Sequence, residues 1–194
     1  MGKPQYRRSA KLEKNIYQVP RSLLVLVLVI LGAMYYYAAY MDFPTPEDTV
    51  SEFYEAYFVH DYELAAQNIS VFWAAQFLPE YAEEKPSQLL KERPTLEKET
   101  AKFFALVEEY NPAPDEMSIK IDPRYSRTGQ YGALVVYELS RSGQSLGREM
   151  AMLIKESDRF YIMNLYPLQE ENLEQVLEFD MEALDSDLKT LMES

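Results

Sequence analysis

Cysteine is absent from all 194 residues. That excludes disulfides, thiolate metal sites and a lipid-modified cysteine anchor, so any folded domain must hold by its own core. Histidine and tryptophan occur once each, as His60 and Trp73, and the six glycines form no phosphate-cradling loop. With no His/Asp/Glu cluster at metal spacing and no EF-hand loop, neither a metal nor a cofactor is expected. Basic residues are scarce: 19 Lys and Arg face 32 Asp and Glu, a net charge of −13. Nucleic acid, whose phosphates demand Lys and Arg, is thereby an unlikely partner class. Charge of either sign is missing from Ser22 to Met41, a stretch reading SLLVLVLVILGAMYYYAAYM.

Twenty residues at about 1.5 Å each give a helix of about 30 Å, the thickness of a bilayer's hydrocarbon core. The expectation is a transmembrane helix at 22–41, with the lipid bilayer as its partner. Six basic residues precede it against Glu13 alone, a net of +5; after it 13 basic face 31 acidic residues, a net of −18. Positive flanks stay in the cytoplasm. The chain therefore reads as single-pass at the cell membrane, with residues 1–21 a cytoplasmic basic tail and the remainder extracytoplasmic. The apolar run exceeds the ~7–15 residues of a signal-peptide core, which favours an uncleaved signal anchor.

Beyond the anchor, Thr45-Pro46-Glu47-Asp48 carries a helix start, with Thr45 as N-cap and Asp48 three residues on. Val50, Phe53, Tyr54, Tyr57 and Phe58 then form a helical stripe. His60-Asp61 breaks it, and Asp61 can cap a second short helix. The aromatic-rich Ser70–Glu84 reads as partly helical, Glu83–Pro94 as a loop or loose helix, and Thr95 as the cap of a further helix ending at Asn111-Pro112. The period then changes from 3.6 to 2. Met117–Ile121, Tyr131–Ser140, Arg148–Lys155 and Arg159–Tyr166 read as strands, closely enough spaced to pair antiparallel. Helices followed by strands make the class α+β, with a domain at 42–168.

This order, with His60-Asp61-Tyr62-Glu63-Leu64-Ala65-Ala66 between helices and Asp158-Arg159-Phe160-Tyr161-Ile162 closing the strands, resembles the nuclear transport factor 2-like (cystatin-like) superfamily over roughly 45–168. The resemblance implies a cone, a curved antiparallel sheet wrapped around a long helix, as in small anchored extracytoplasmic bacterial members. It implies no single chemistry, since the superfamily holds isomerases, dehydratases, ligand binders and scaffolds. The function expected first is a non-catalytic binding or scaffold module engaging a protein partner or envelope component. The alternatives are a membrane-tethered isomerase or dehydratase and, by similar topology, an assembly factor of secretion or conjugation machines.

An enzyme of that kind needs a base in the cone and an acid facing an oxyanion. His60 is one candidate, against the plainer reading of an exposed residue at a helix end. Glu138, the lone carboxylate in the apolar run Ala133–Leu139, is the other, against a solvent-facing position. Tyr54, Trp73, Phe103, Tyr137 and Phe160 could line a pocket or simply be core. In the acidic tail, 169–194, Leu173, Leu177, Met181, Leu184, Leu188 and Leu191 recur at a near-heptad spacing. The tail reads as one amphipathic helix, lying either on its own domain or in the groove of a partner protein.

Overall fold

The computed structural model describes residues 21–40, 43–112 and 114–193. It divides into two compact units, 1–42 and 43–194.

The first unit contributes one helix, α1 (Arg21–Tyr40), whose apolar side chains from Val25 to Leu31 are exposed. The membrane reading is corrected here. Among the described residues, no helix is long and apolar enough to cross a membrane. The unbroken Leu/Val/Ile run, Leu23–Leu31, covers only about 14 Å at ~1.5 Å per residue, about half of a hydrocarbon core. Gly32, Ala33 and three tyrosines follow it. The transmembrane span at 22–41, the bilayer partner, the signal anchor and the single-pass location at the cell membrane are withdrawn with it. The basic tail expected at 1–21 falls, apart from Arg21, outside the described residues.

The second unit is α+β. Its helices are α2 (Pro46–Phe58), α3 (Tyr62–Ala66), α4 (Val71–Phe77), α5 (Pro86–Lys91), α6 (Arg93–Tyr110), α7 (Leu173–Leu177) and α8 (Met181–Glu193). Its strands are β1 (Met117–Ile121), β2 (Arg127–Thr128), β3 (Gly132–Arg141), β4 (Gln144–Glu156) and β5 (Arg159–Leu168). At the start of α2, the Thr45 hydroxyl accepts from the Asp48 N–H at 3.2 Å and the Asp48 carboxylate from the Thr45 N–H at 3.1 Å. Both orphan donors are satisfied reciprocally. Of the two readings of 83–94, loop or loose helix, the helical one holds: the stretch carries α5 and the start of α6, which begins at Arg93 and leaves Thr95 inside the helix rather than at its cap. Pro86 and Pro94 stand in their first turns, where a missing N–H removes no helical bond.

All strands pair antiparallel in the order β1-β3-β4-β5, and β2 extends the β1 edge along β3. The β3–β4 turn is Ser142-Gly143 with φ of 50° and 78°, the doubly positive pattern of a type I′ hairpin. Ser157, at φ 60°, opens the equally short β4–β5 loop.

β3 is buried from Gly132 to Tyr137 because both of its faces are covered. Tyr137 meets Tyr54 of α2 on one face. On the other, Gly132 lies so close to α8 that a Cβ there would sit 2.8 Å from Leu188 and 2.9 Å from Leu184. Val50, Phe53, Leu96, Leu173, Val176, Leu184 and Leu188 all belong to the buried core. The expected single C-terminal helix is corrected to two. The Asp180 carboxylate accepts from the Glu182 and Ala183 N–H groups at 3.1 and 3.0 Å and starts α8 anew. Arg127 donates to the Leu177 and Phe179 carbonyls between the two helices.

Candidate functional site

His60 occupies the residue after the C-cap of α2, at φ 63°. Its N–H bonds the Tyr57 carbonyl at 3.1 Å, and the Asp61 N–H bonds the Ala56 carbonyl at 2.9 Å. These are the two bonds of a Schellman cap, a place where glycine is the usual residue. A histidine there carries a left-handed backbone at a cost of about 1 kcal/mol. Asp61 then starts α3, its carboxylate accepting from the Leu64 N–H at 3.1 Å.

This turn and α6 enclose an open groove of about 840 Å³. Val59, His60, Asp61 and Tyr62 form one wall; Lys98, Ala101, Lys102 and Ala105 form the other. The His60 Nδ1 lies 2.8 Å from the Tyr62 hydroxyl and 3.7 Å from Glu108 Oε1. Tyr57 stands behind them. Burial, and then the Glu108 carboxylate, push its phenol up to about 12. Burial and Glu108 also raise Tyr62. The arrangement offers a neutral imidazole an O–H donor and an imidazolium a nearby carboxylate, on a side chain that is largely exposed.

A second polar cluster lies inside the domain. The Tyr54 and Tyr137 hydroxyls are 2.7 Å apart, and both donate to Glu149 Oε2, at 3.1 and 2.8 Å. Burial is the largest cause raising both phenols far above their ordinary value. The register Tyr137↔Glu149 sets this carboxylate beside the phenol.

Glu138, one residue along, faces the opposite side of the sheet. There its cross-strand neighbours are Lys120 and Arg148, an opposite-charge ladder. Of the five aromatics considered for a pocket, Tyr54 and Tyr137 meet at 5.1 Å, whereas Trp73 and Phe103 both pack on Phe77. Phe160 sits apart, near Lys155.

Sequence reasoning missed Glu149, Glu108 and the two groove lysines. Glu149 stands in a run read only as strand, and nothing short of the β3–β4 register pairs it with Tyr137. Glu108 offers a faint signal, since its position on α6 falls on the inward side with Ala101 and Phe104. Among the described residues no three His, Asp or Glu side chains are grouped to hold a metal ion. In comparisons with known proteins, the chain matches no family model, no curated protein and no solved structure.

Proposed function

We propose that residues 43–194 form a non-catalytic binding module that takes up a segment of a partner protein in the groove beside His60. The observation that carries this reading is the groove itself. It is open to solvent and lined by apolar and polar side chains together, Ala101 and Ala105 with Lys98, Lys102, His60 and Glu63. Such a trough fits a chain lying across it better than a small molecule, which favours an enclosing, mostly apolar pocket. The interior trio supports the same conclusion, because its phenols already bond the chain's own carboxylate. The resemblance to the nuclear transport factor 2-like superfamily remains part of the proposal, as a group in which binding modules are common.

The trio also gives a second reading its one favourable observation. Two O–H donors converging on a single oxygen suit acid–base chemistry of the isomerase or dehydratase kind. It ranks second because Glu149 would have to leave before an oxyanion could enter.

Peptide-display selection against the full chain tests the first reading. Selected peptides should lose binding to Ala105→Arg, an exposed site whose substitution fills the groove, with the unfolding midpoint unchanged. Peptides that bind this variant as well as the parent, or a selection that enriches none, would overturn it.

A further inference from the structure

We infer that Glu149 and the apolar niche around it bind the ammonium group of an aliphatic amine. The Tyr54 and Tyr137 hydroxyls hold one carboxylate oxygen, Oε2, at 3.1 and 2.8 Å. Among the described residues no donor of the chain reaches the other oxygen, Oε1, and no Lys, Arg or His pairs with the carboxylate. The side chain is half-buried, and Oε1 keeps contact with solvent. The sheet's own cations at this level, Lys120 and Arg148, flank Glu138 on the opposite face. The inference is separate from the groove beside His60 and does not depend on its occupant.

Strand register fixes what surrounds that free oxygen. Ile121, Tyr137, Glu149 and Pro167 form one row across β1, β3, β4 and β5. Ile119, Leu139 and Gly147 form the next row, two residues away along each strand and so on the same face. Phe58, one turn beyond Tyr54 on α2, packs on that tyrosine with ring centroids 5.4 Å apart. Ile119, Ile121, Leu139 and Phe58 are half-buried and Pro167 is exposed, so an apolar rim stands open to solvent. At Gly147 an added Cβ would meet nothing within 4 Å, which leaves free space in the row beside the carboxylate. An ionised carboxylate among apolar side chains loses water, and here it gains only neutral phenols in return. An ammonium ion supplies the missing charge through a charge-assisted N–H···O bond, and an alkyl body covers the rim. An anionic ligand is repelled, and a neutral one leaves the charge uncompensated. The ligand is thus an amine with an apolar body.

Thermal unfolding of the full chain at pH 7 with hexylamine, methylamine or hexanoate, each at about 10 mM and equal ionic strength, tests this. Hexylamine should raise the midpoint by about 3 °C, as expected for a tenfold excess over a Kd near 1 mM. Methylamine lacks the alkyl body and hexanoate carries the wrong charge, so neither should shift it. Glu149→Gln keeps an acceptor for both phenols and should lose the hexylamine shift. Leu139→Lys sets an ammonium diagonal to Glu149 on the neighbouring strand and should lose it too. Nα-acetyl-lysine amide separates the sources of the ammonium. A shift as large as hexylamine's supports a protein-borne lysine, a smaller one supports a free amine, and both uphold the site. No shift with hexylamine, an equal shift with methylamine or hexanoate, or a shift that survives Glu149→Gln would overturn the inference.

Discussion

At the scale of single residues, Asp185 shows how a solvent-face acid in the sequence becomes a structural clamp. Its carboxylate accepts three backbone N–H groups, from Gln130 at 2.7 Å and from Tyr131 and Gly132 at 2.8 Å each. Gly129 permits the approach, since a Cβ there would lie 2.6 Å from that carboxylate. Asp185→Ala leaves partly buried donors without a partner and should lower the unfolding free energy by about 2–3 kcal/mol in urea denaturation. A loss under about 0.5 kcal/mol would show that water replaces the carboxylate freely. Tyr57 makes a prediction in pH. Its phenol titrates near 12 in the folded chain, against about 10 when unfolded. The stability this neutral phenol contributes is complete below pH 10 and is lost as pH rises towards 12. Screening by solvent keeps it to about 1 kcal/mol. Unfolding midpoints followed from pH 8 to 12 should fall less for Tyr57→Phe than for the parent; parallel curves would contradict the upward shift that burial and Glu108 give this phenol. Thr45 and Asp61 were legible as caps because capping acts within four residues. Asp185 was not, because its partners lie more than fifty residues away.

At the scale of elements, the C-terminal helices matter most. Their apolar positions offered two destinations, the chain's own domain or a partner, and spacing alone could not choose between them. In the fold Leu173, Val176, Leu184 and Leu188 are buried, whereas Leu177 is exposed. The break at Asp180 rotates α8 relative to α7, so a stripe counted through both helices cannot stay on one face. Leu188→Ala should cost about 2–4 kcal/mol, and removal of residues 169–194 more than that, since Gly132 would lose its cover and four buried apolar side chains would go. Urea titration of both variants checks this. A truncated chain as stable as the parent would return these helices to the role of a partner-binding tail. The longer strands were legible within a few residues, β1 from its alternation and β3 as an apolar run bounded by turn residues. β2 was not: two residues carry no period, and only pairing with Leu134 and Ala133 of β3 makes Arg127-Thr128 a strand.

At the scale of the whole molecule, the charge of −13 and the lack of cysteine act together. Like charges repel within a compact body, and salt shortens their reach from about 30 Å at 0.01 M to about 8 Å at 0.15 M. The urea midpoint should therefore rise across that range and ignore reductant. A falling midpoint would mean that ion pairs such as the buried Arg93–Glu156 outweigh the general repulsion.

The sequence by itself determined the α+β class, the starts of α2 and α3, most strands and the acidic surface, because caps, periods and net charge are local or additive. Tertiary structure alone decided that Tyr54, Tyr137 and Glu149 share one point, that His60 joins Lys98 and Lys102 across a groove, and which leucines the last helix buries. Each of these depends on a register or a helix rotation, and a shift of one residue would carry every side chain concerned to another face.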